Sequence, residues 1–367
     1  MTEKTPVKLV VSDIDNTISD YFNIWADMMD AGIRAVAASR GIDMNDPEQK
    51  KAVYDSIKTI PTTGAIFHDF ARMVRETPIF SLEGKSAEER KRLEKSDAKA
   101  AHDFQVGYAK GKSLYEGVIS TVDQIHANGG KFVLFTDSPE DGAIRSLVHM
   151  GFPVEKLDGL VCRANDADEI LPNGKKAPMQ IDGGKIGEYK KALKERIGDN
   201  YIINGADVWK SDTEKSFPVF KQVMDNFGAK AEETVMVGDN IKSDGGFVMM
   251  GVHYAWQKEG SKVTPLSLEV NKAVSNQPDY KLGPEAHLEL LAERSAENPV
   301  LGAAYHDKMV TLETGFGDLG KYFAFTDNTK AYKIEQYKET VRAEQKAKKA
   351  ATQTQVASQI MASKRSR

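Results

Sequence analysis

The first apolar run of the chain, residues 7–11, is short and β-branched, the pattern of a strand covered on both faces of a sheet. From Tyr21 the pattern turns helical. Ile24, Trp25, Met28, Met29, Ile33 and Val36 make a 3.6-residue stripe over 21–40, which Gly41 can terminate. Asp46-Pro47-Glu48 reads as a helix start, with Asp46 as N-cap and Pro47 in the first turn. A further helix is predicted over 66–75, and a charged, exposed one over 86–108. Strand signals are nearly absent between 18 and 113, so this stretch reads as an all-helical insertion. Within it, Trp25 and the Met28-Met29 pair read as apolar core.

Alternation of strand and helix resumes at Leu114. Residues 118–126 read as a helix stopped by Asn128-Gly129-Gly130, 131–135 as a strand, 139–150 as a helix and 157–162 as a short strand. A small hairpin is predicted over 171–181, turning at Pro172-Asn173-Gly174, then a helix over 185–197. Residues 217–227 read as a helix, 234–237 as a buried strand and 252–256 as the last core strand. Residues 265–327 are mixed and carry no sharp chemical signal.

Length and composition are those of an ordinary soluble globular protein, with enough chain for one large domain or two smaller ones. The single Cys162 excludes an intramolecular disulfide framework and fits a reducing compartment. No apolar run approaches the length of a membrane span, and the first strand begins almost at once, so a cytoplasmic protein is expected. Charge is uneven. Residues 328–367 carry ten Lys and Arg against three Glu, about +7 in a chain of net −4. Such a tail can meet nucleic acid, but with no aromatic or Gly-rich motif in its last 30 residues a solvated extension is the plainer reading.

The strand ends change the picture. Residues 7–11 run into Asp13 and Asp15, two carboxylates whose mutual repulsion calls for a cation or a shared proton. In open α/β sheets, ligands bind outside the carboxyl ends of the strands. Thr136 closes the second strand, Lys215 precedes a helix, and Gly238-Asp239 with Asp244 follows the strand at 234–237. The acids suit Mg²⁺, a hard cation that takes carboxylate oxygens and bridges to phosphate. Lys215 supplies a point charge for a phosphoryl oxygen or a nucleophile, with Lys210 as its rival; Thr136 supplies a hydroxyl. His68, Asp69, Arg72 and Arg75 could lean over such a site from the helical insertion, although exposed helix charges are usually solvated. The pattern describes phosphoryl transfer.

These residues resemble, in order, the four motifs of the haloacid dehalogenase-like (HAD) superfamily: Asp13-x-Asp15-x-Thr17, Leu134-Phe135-Thr136, Lys215 opening its helix, and Gly238-Asp239 with Asp244. Leu114-Tyr115-Glu116-Gly117-Val118 is similar to the family's return to the core after a helical cap. The resemblance covers 7–17 and 114–260, and nothing in 265–367 matches. It implies a doubly wound, mostly parallel α/β Rossmann-like core (1–17 and 114–260) and a helical cap (18–113), and it leaves 261–327 as a C-terminal extension and 328–367 as a basic tail.

It also implies roles. Asp13 would attack phosphorus, and Asp15 would act as acid and base. Thr136 and Lys215, with Thr17 and Asp137 beside them, would receive the phosphate. Mg²⁺ would sit on Asp13, the carbonyl of Asp15, and Asp239, with Asp244 as ligand or support. An acid at position 15 resembles the phosphatase and phosphomutase branches rather than the dehalogenases. A Mg²⁺-dependent phosphatase acting on a small phosphate ester is therefore expected. A phosphomutase, or a non-catalytic binding protein on the same fold, are the alternatives.

Overall fold

The computed structural model describes residues 4–60, 70–164, 169–170, 176–177, 184–204, 215–274 and 283–326. Two strands open the chain, β1 (Thr5–Val7) and β2 (Leu9–Ser12), and four helices follow: α1 (Phe22–Ser39), α2 (Pro47–Lys58), α3 (Phe70–Glu76) and α4 (Ala87–Gly111). Local chemistry sets these helices. The Asp46 side chain accepts from the N–H groups of Glu48 and Gln49 at 2.9 Å each, and Ser86 caps α4 through Glu89. Among the described residues, α1 to α4 occupy the segment expected to be helical. His68 and Asp69 lie outside the described residues, and Arg72 is engaged with Glu76 along its own helix.

The alternating part continues with α5 (Val118–Ala127), β3 (Lys131–Pro139), α6 (Glu140–His149) and β4 (Gly159–Arg163), then a two-stranded hairpin of β5 (Glu169–Ile170) and β6 (Lys176–Ala177). After it come α7 (Lys185–Ile197), β7 (Tyr201–Asn204), α8 (Phe217–Phe227), β8 (Thr234–Gly238) and β9 (His253–Gln257). The turn at Pro172-Asn173-Gly174, Lys210 and the basic tail fall outside the described residues. The chain continues through α9 (Pro265–Val274), α10 (Pro284–Glu297), α11 (Pro299–Lys308), β10 (Met309–Leu312), α12 (Leu319–Tyr322) and β11 (Phe323–Phe325).

Seven strands form one parallel sheet in the order β10-β9-β8-β2-β3-β4-β7. The strand expected to be the last of the core, 252–256, is not the last. β10 pairs parallel to β9 from Met309 to Leu312, and a further parallel pair joins β1 to β11. The period-2 pleat divides the strand side chains between two faces. Val10, Phe132, Leu134, Leu160, Val235 and Val237 pack under α5, α6 and α7, while Leu9, Val11, Val133, Phe135, Met236 and Trp256 pack under α8 and α11. Helices on both faces make this a doubly wound α/β layer structure.

The helical insertion has its own apolar core. Trp25, Met29, Ile33, Val53, Ile57, Phe70 and Phe104 are buried together, each contributing about 1.5–3 kcal/mol by removal from water. Val270, Ala273 and Val274 of α9 belong to the same cluster. Among the described residues, no helix is long and apolar enough to cross a membrane.

Candidate active site

The topology names the place before any side chain does. From β2 the chain winds outward through β3, β4 and β7, then returns to the other side of β2 and winds through β8, β9 and β10. The direction reverses between β2 and β8, and the crevice for a ligand opens beyond their carboxyl ends. Ser12 is level with Leu134 on one side and Val237 on the other. One step further stand Asp13, Phe135 and Gly238, followed by Thr136 and Asp239. The N–H of Asp13 donates to the Val237 carbonyl at 2.9 Å, which carries the pairing up to the acid itself.

Beyond Asp13 the chain makes a tight turn in which Ile18 and Ser19 donate to the Ile14 carbonyl. Asn16 stands at φ 56, a left-handed conformation that Asn tolerates better than most residues. Its side-chain oxygen accepts from the N–H groups of Tyr21 and Phe22 at 3.0 and 3.1 Å, and its amide reaches Asp239. The backbone of residue 260 presses on this turn so closely that a Cβ there would fall 1.3 Å from the Asn16 carbonyl oxygen, so only glycine fits.

Lys215 enters from just before α8. Its ammonium lies 2.7 Å from Asp13 Oδ1 and 2.7 Å from Asp244 Oδ1, with the side chain 1% exposed. Asp244 is buried as well, and its second oxygen accepts from the Asn240 N–H at 3.3 Å. Carboxylate oxygens of Asp13, Asp239 and Asp244 all lie within 4.8 Å of one another. Burial pushes the Asp13 carboxyl up to about 8; Lys215 opposes this, and the charges of Asp244 and Asp15 add to it. Asp239 is held well above the usual carboxylate range by burial, then by Asp244 and Asp13. For Lys215, burial favours the neutral amine, but Asp13 and Asp244 together outweigh it and raise the ammonium above its ordinary value.

Asp15 is held at both oxygens. Lys112 Nζ lies 2.6 Å from Oδ1, and the Ser138 hydroxyl donates to Oδ2 at 3.1 Å. The Ser138 N–H donates to Thr136 Oγ1 at 3.1 Å, which joins Thr136 to the same network. Asp137 is exposed at the mouth, yet the surrounding protein pushes its carboxyl up to about 6 against the pull of Lys215. Thr17 is fully buried, its carbonyl accepting from Gln257 while its hydroxyl finds no partner among the described residues.

The structure therefore brings Asp13, Asp15, Thr136, Lys215, Asp239 and Asp244 to one end of the sheet. Lys112, Ser138 and Asn16 were not singled out by the sequence. Asn16 stands inside the Asp13-x-Asp15-x-Thr17 run, and Ser138 two residues beyond Thr136. Lys112 lies just ahead of the recognised return at Leu114, but nothing local marks it as the partner of an acid 97 positions earlier. With Asp13, Asp15, Asp239 and Asp244 all ionised against Lys112 and Lys215, the site carries two negative charges in excess, which suits a divalent cation. The all-oxygen donor set is that of a hard ion.

No family model matches the sequence, and no curated protein matches it by sequence. Solved structures do match by fold. A HAD phosphatase from Thermococcus onnurineus is 15% identical, with 74% of this chain and 99% of that one covered at a TM-score of 0.38. A haloacid dehalogenase-like family hydrolase from Xanthomonas campestris is 15% identical, covering 74% and 97% at 0.35. A predicted phosphoglycolate phosphatase from Haemophilus somnus is 12% identical, covering 75% and 92% at 0.36. At such values the residues of the chain itself must carry any functional reading.

Proposed function

We propose that the chain is a HAD-type, Mg²⁺-dependent phosphatase that hydrolyses a small phosphate monoester through an aspartyl-phosphate. The observation that carries this reading is the buried contact of Lys215 with both Asp13 and Asp244, beside Asp239, at the reversal point of the sheet. Asp13, Asp239 and the carbonyl of Asp15 would hold the cation, with Asp244 turned toward Lys215 and supporting them. When bound, the ion offsets the excess negative charge and lets a phosphate dianion approach the acids.

In the first half-reaction an Asp13 oxygen bonds to phosphorus while the bond from phosphorus to the leaving oxygen breaks. Asp15 gives that oxygen its proton. In the second, Asp15 takes a proton from water as the water oxygen bonds to phosphorus. The bond to Asp13 then breaks, releasing inorganic phosphate. Lys215 and Thr136 stabilise the charge gathering on the phosphoryl oxygens, Lys215 also orienting Asp13. The helical cap would cover the cleft, so the reading favours substrates small enough to fit beneath it.

Phosphate release from an aryl phosphate and from a panel of nucleotides, sugar phosphates and cofactor phosphates tests the proposal. Turnover should need Mg²⁺ and should fall by about 10³-fold or more in Asp13→Asn. Turnover indifferent to Asp13→Asn would overturn it. So would no turnover on any member of the panel together with capture of a tight macromolecular partner.

A further inference from the structure

The two places where the chain crosses between core and helical insertion lie side by side. Ser19 on the outward crossing bridges to Leu114 on the return, and the N–H of Tyr115 donates to the Ile18 carbonyl at 2.9 Å. Lys112 stands at this seam, immediately after the last turn of α4, with its backbone already extended (φ −63°, ψ 133°). Its side chain is only 3% exposed. The ammonium donates to Asp15 Oδ1 at 2.6 Å and to Ser146 Oγ of α6 at 3.0 Å. Two rings stand beside it, Tyr108 at 4.7 Å and Tyr21 at 5.3 Å from ammonium to centroid, the rings meeting edge to face.

We infer that Lys112 is a positioning residue for Asp15: it fixes the acid/base carboxylate from the seam between cap and core. The inference rests on the phosphatase reading above and extends it. A buried ion pair is a weak source of stability, because desolvating both charges costs about as much as their attraction returns. A cation this enclosed, aimed at one oxygen of Asp15 while Ser138 holds the other, is better explained by orientation. An unpaired Asp15 has free rotamers and reaches the attacking water in only some of them. Tyr21 lies at the end of the outward crossing and Lys112 on the return crossing, so the cage that holds the ammonium is built from both connections of the cap.

The test uses rapid-quench kinetics on the full chain with p-nitrophenyl phosphate. This leaving group departs without needing a proton, so only the hydrolysis of the aspartyl-phosphate depends on Asp15. Lys112→Met should lower kcat about 10–100-fold, part of the usual worth of a general base. KM should fall in about the same proportion, because kcat/KM reports only the unaffected first step, and a burst of nitrophenol near one per site should appear as the phosphoenzyme accumulates. Ser146→Ala, which loosens Lys112 from its far side without touching Asp15, should show the same burst with a fall of about 3–10-fold. It carries the test if Lys112→Met fails to fold.

Wild-type kinetics in the variants would overturn the inference. A fall in kcat without a burst, with KM raised and thermal stability lost, would also overturn it, since that is what a merely structural lysine produces. These failures leave the phosphatase reading standing. A wild-type chain without Asp13-dependent turnover removes that reading, and this inference with it.

Discussion

Among single residues, Asp239 shows most directly how the site opposes the stability of the molecule that carries it. Its carboxyl is raised because burial and the charges of Asp244 and Asp13 all disfavour ionisation. Asp239→Asn keeps the shape and removes one repelling charge. The metal-free protein should become more stable, with a melting temperature higher by about 2 °C or more, while Mg²⁺ binding and turnover are lost. Thermal melts with and without Mg²⁺ check this, and a destabilised metal-free variant would refute it.

Asp13 gives the pH dependence. Its carboxyl at about 8 in the folded chain stands above an ordinary 3.8, so between these values the folded state binds the extra proton. Metal-free stability should therefore fall as pH rises from 5 to 8. Lys215 does not reverse the trend, since its raised value keeps it charged throughout that window. Mg²⁺ must displace this proton, and with it any proton on the raised Asp239 carboxyl, so its apparent affinity should rise by at least about tenfold per pH unit over the same range. The Mg²⁺-induced shift in melting temperature should grow with pH, and a flat shift would count against Asp13 as a ligand. Asp13, Asp239 and Lys215 were legible in the sequence because each adjoins a periodic element. Lys112 was not, because its meaning depends on a fold that brings it to Asp15.

At the scale of elements, β2 and β8 matter through their ends. Gly238 closes β8 with Asp244 folded back over it, so that a Cβ would lie 2.2 Å from Asp244 Oδ2 and 2.4 Å from its Cγ. Gly238→Ala must push Asp244 aside, and with it the partner that steadies Lys215. We expect Mg²⁺ affinity and turnover to fall about 10–100-fold, as for loss of a group supporting a metal ligand, with the circular dichroism spectrum unchanged. Magnesium titration of the folded variant decides, and an unchanged affinity would show that Asp244 is not needed.

The elements most legible from sequence were those with strong periodicity and clear stops. The helices expected at 185–197 and 217–227 appear with those bounds, Gly198 and Gly228 ending them at positive φ. β7 and β10 were missed. Each is four residues long; β10 follows α11 with no Gly or Pro between them, and β7 follows the Gly198 stop after only Asp199 and Asn200. A short edge strand is fixed by the neighbour it pairs with more than by its own sequence.

At the scale of the molecule, the helical insertion is completed by chain that returns more than 150 residues later. α9 lies against α1 and α2 and places Val270, Ala273 and Val274 in the same core as Trp25, Met29 and Ile33. Polar contacts fasten the join. Asn23 accepts from the Thr264 N–H at 2.9 Å and from the Ser267 hydroxyl at 2.7 Å, and Lys50 pairs with Glu269 at 2.5 Å. No periodicity within 18–113 could announce this, because an apolar stripe says which face is buried and not by what.

The shared core should make the insertion and the segment after β9 one thermodynamic unit. Val270, fully buried, is the point at which to test it. Val270→Ala removes two methyl groups and leaves a cavity between α9 and the insertion, at a cost of roughly 1.5–3 kcal/mol. If the two parts are one unit, the loss should appear as a single unfolding transition moved to lower temperature. Protease cuts within α1 or α2 should then appear at the same temperature as cuts within α9. Cuts in α9 that precede any in α1 and α2 would show that the insertion stands without its late partner, and that the contact is a docking rather than a common core.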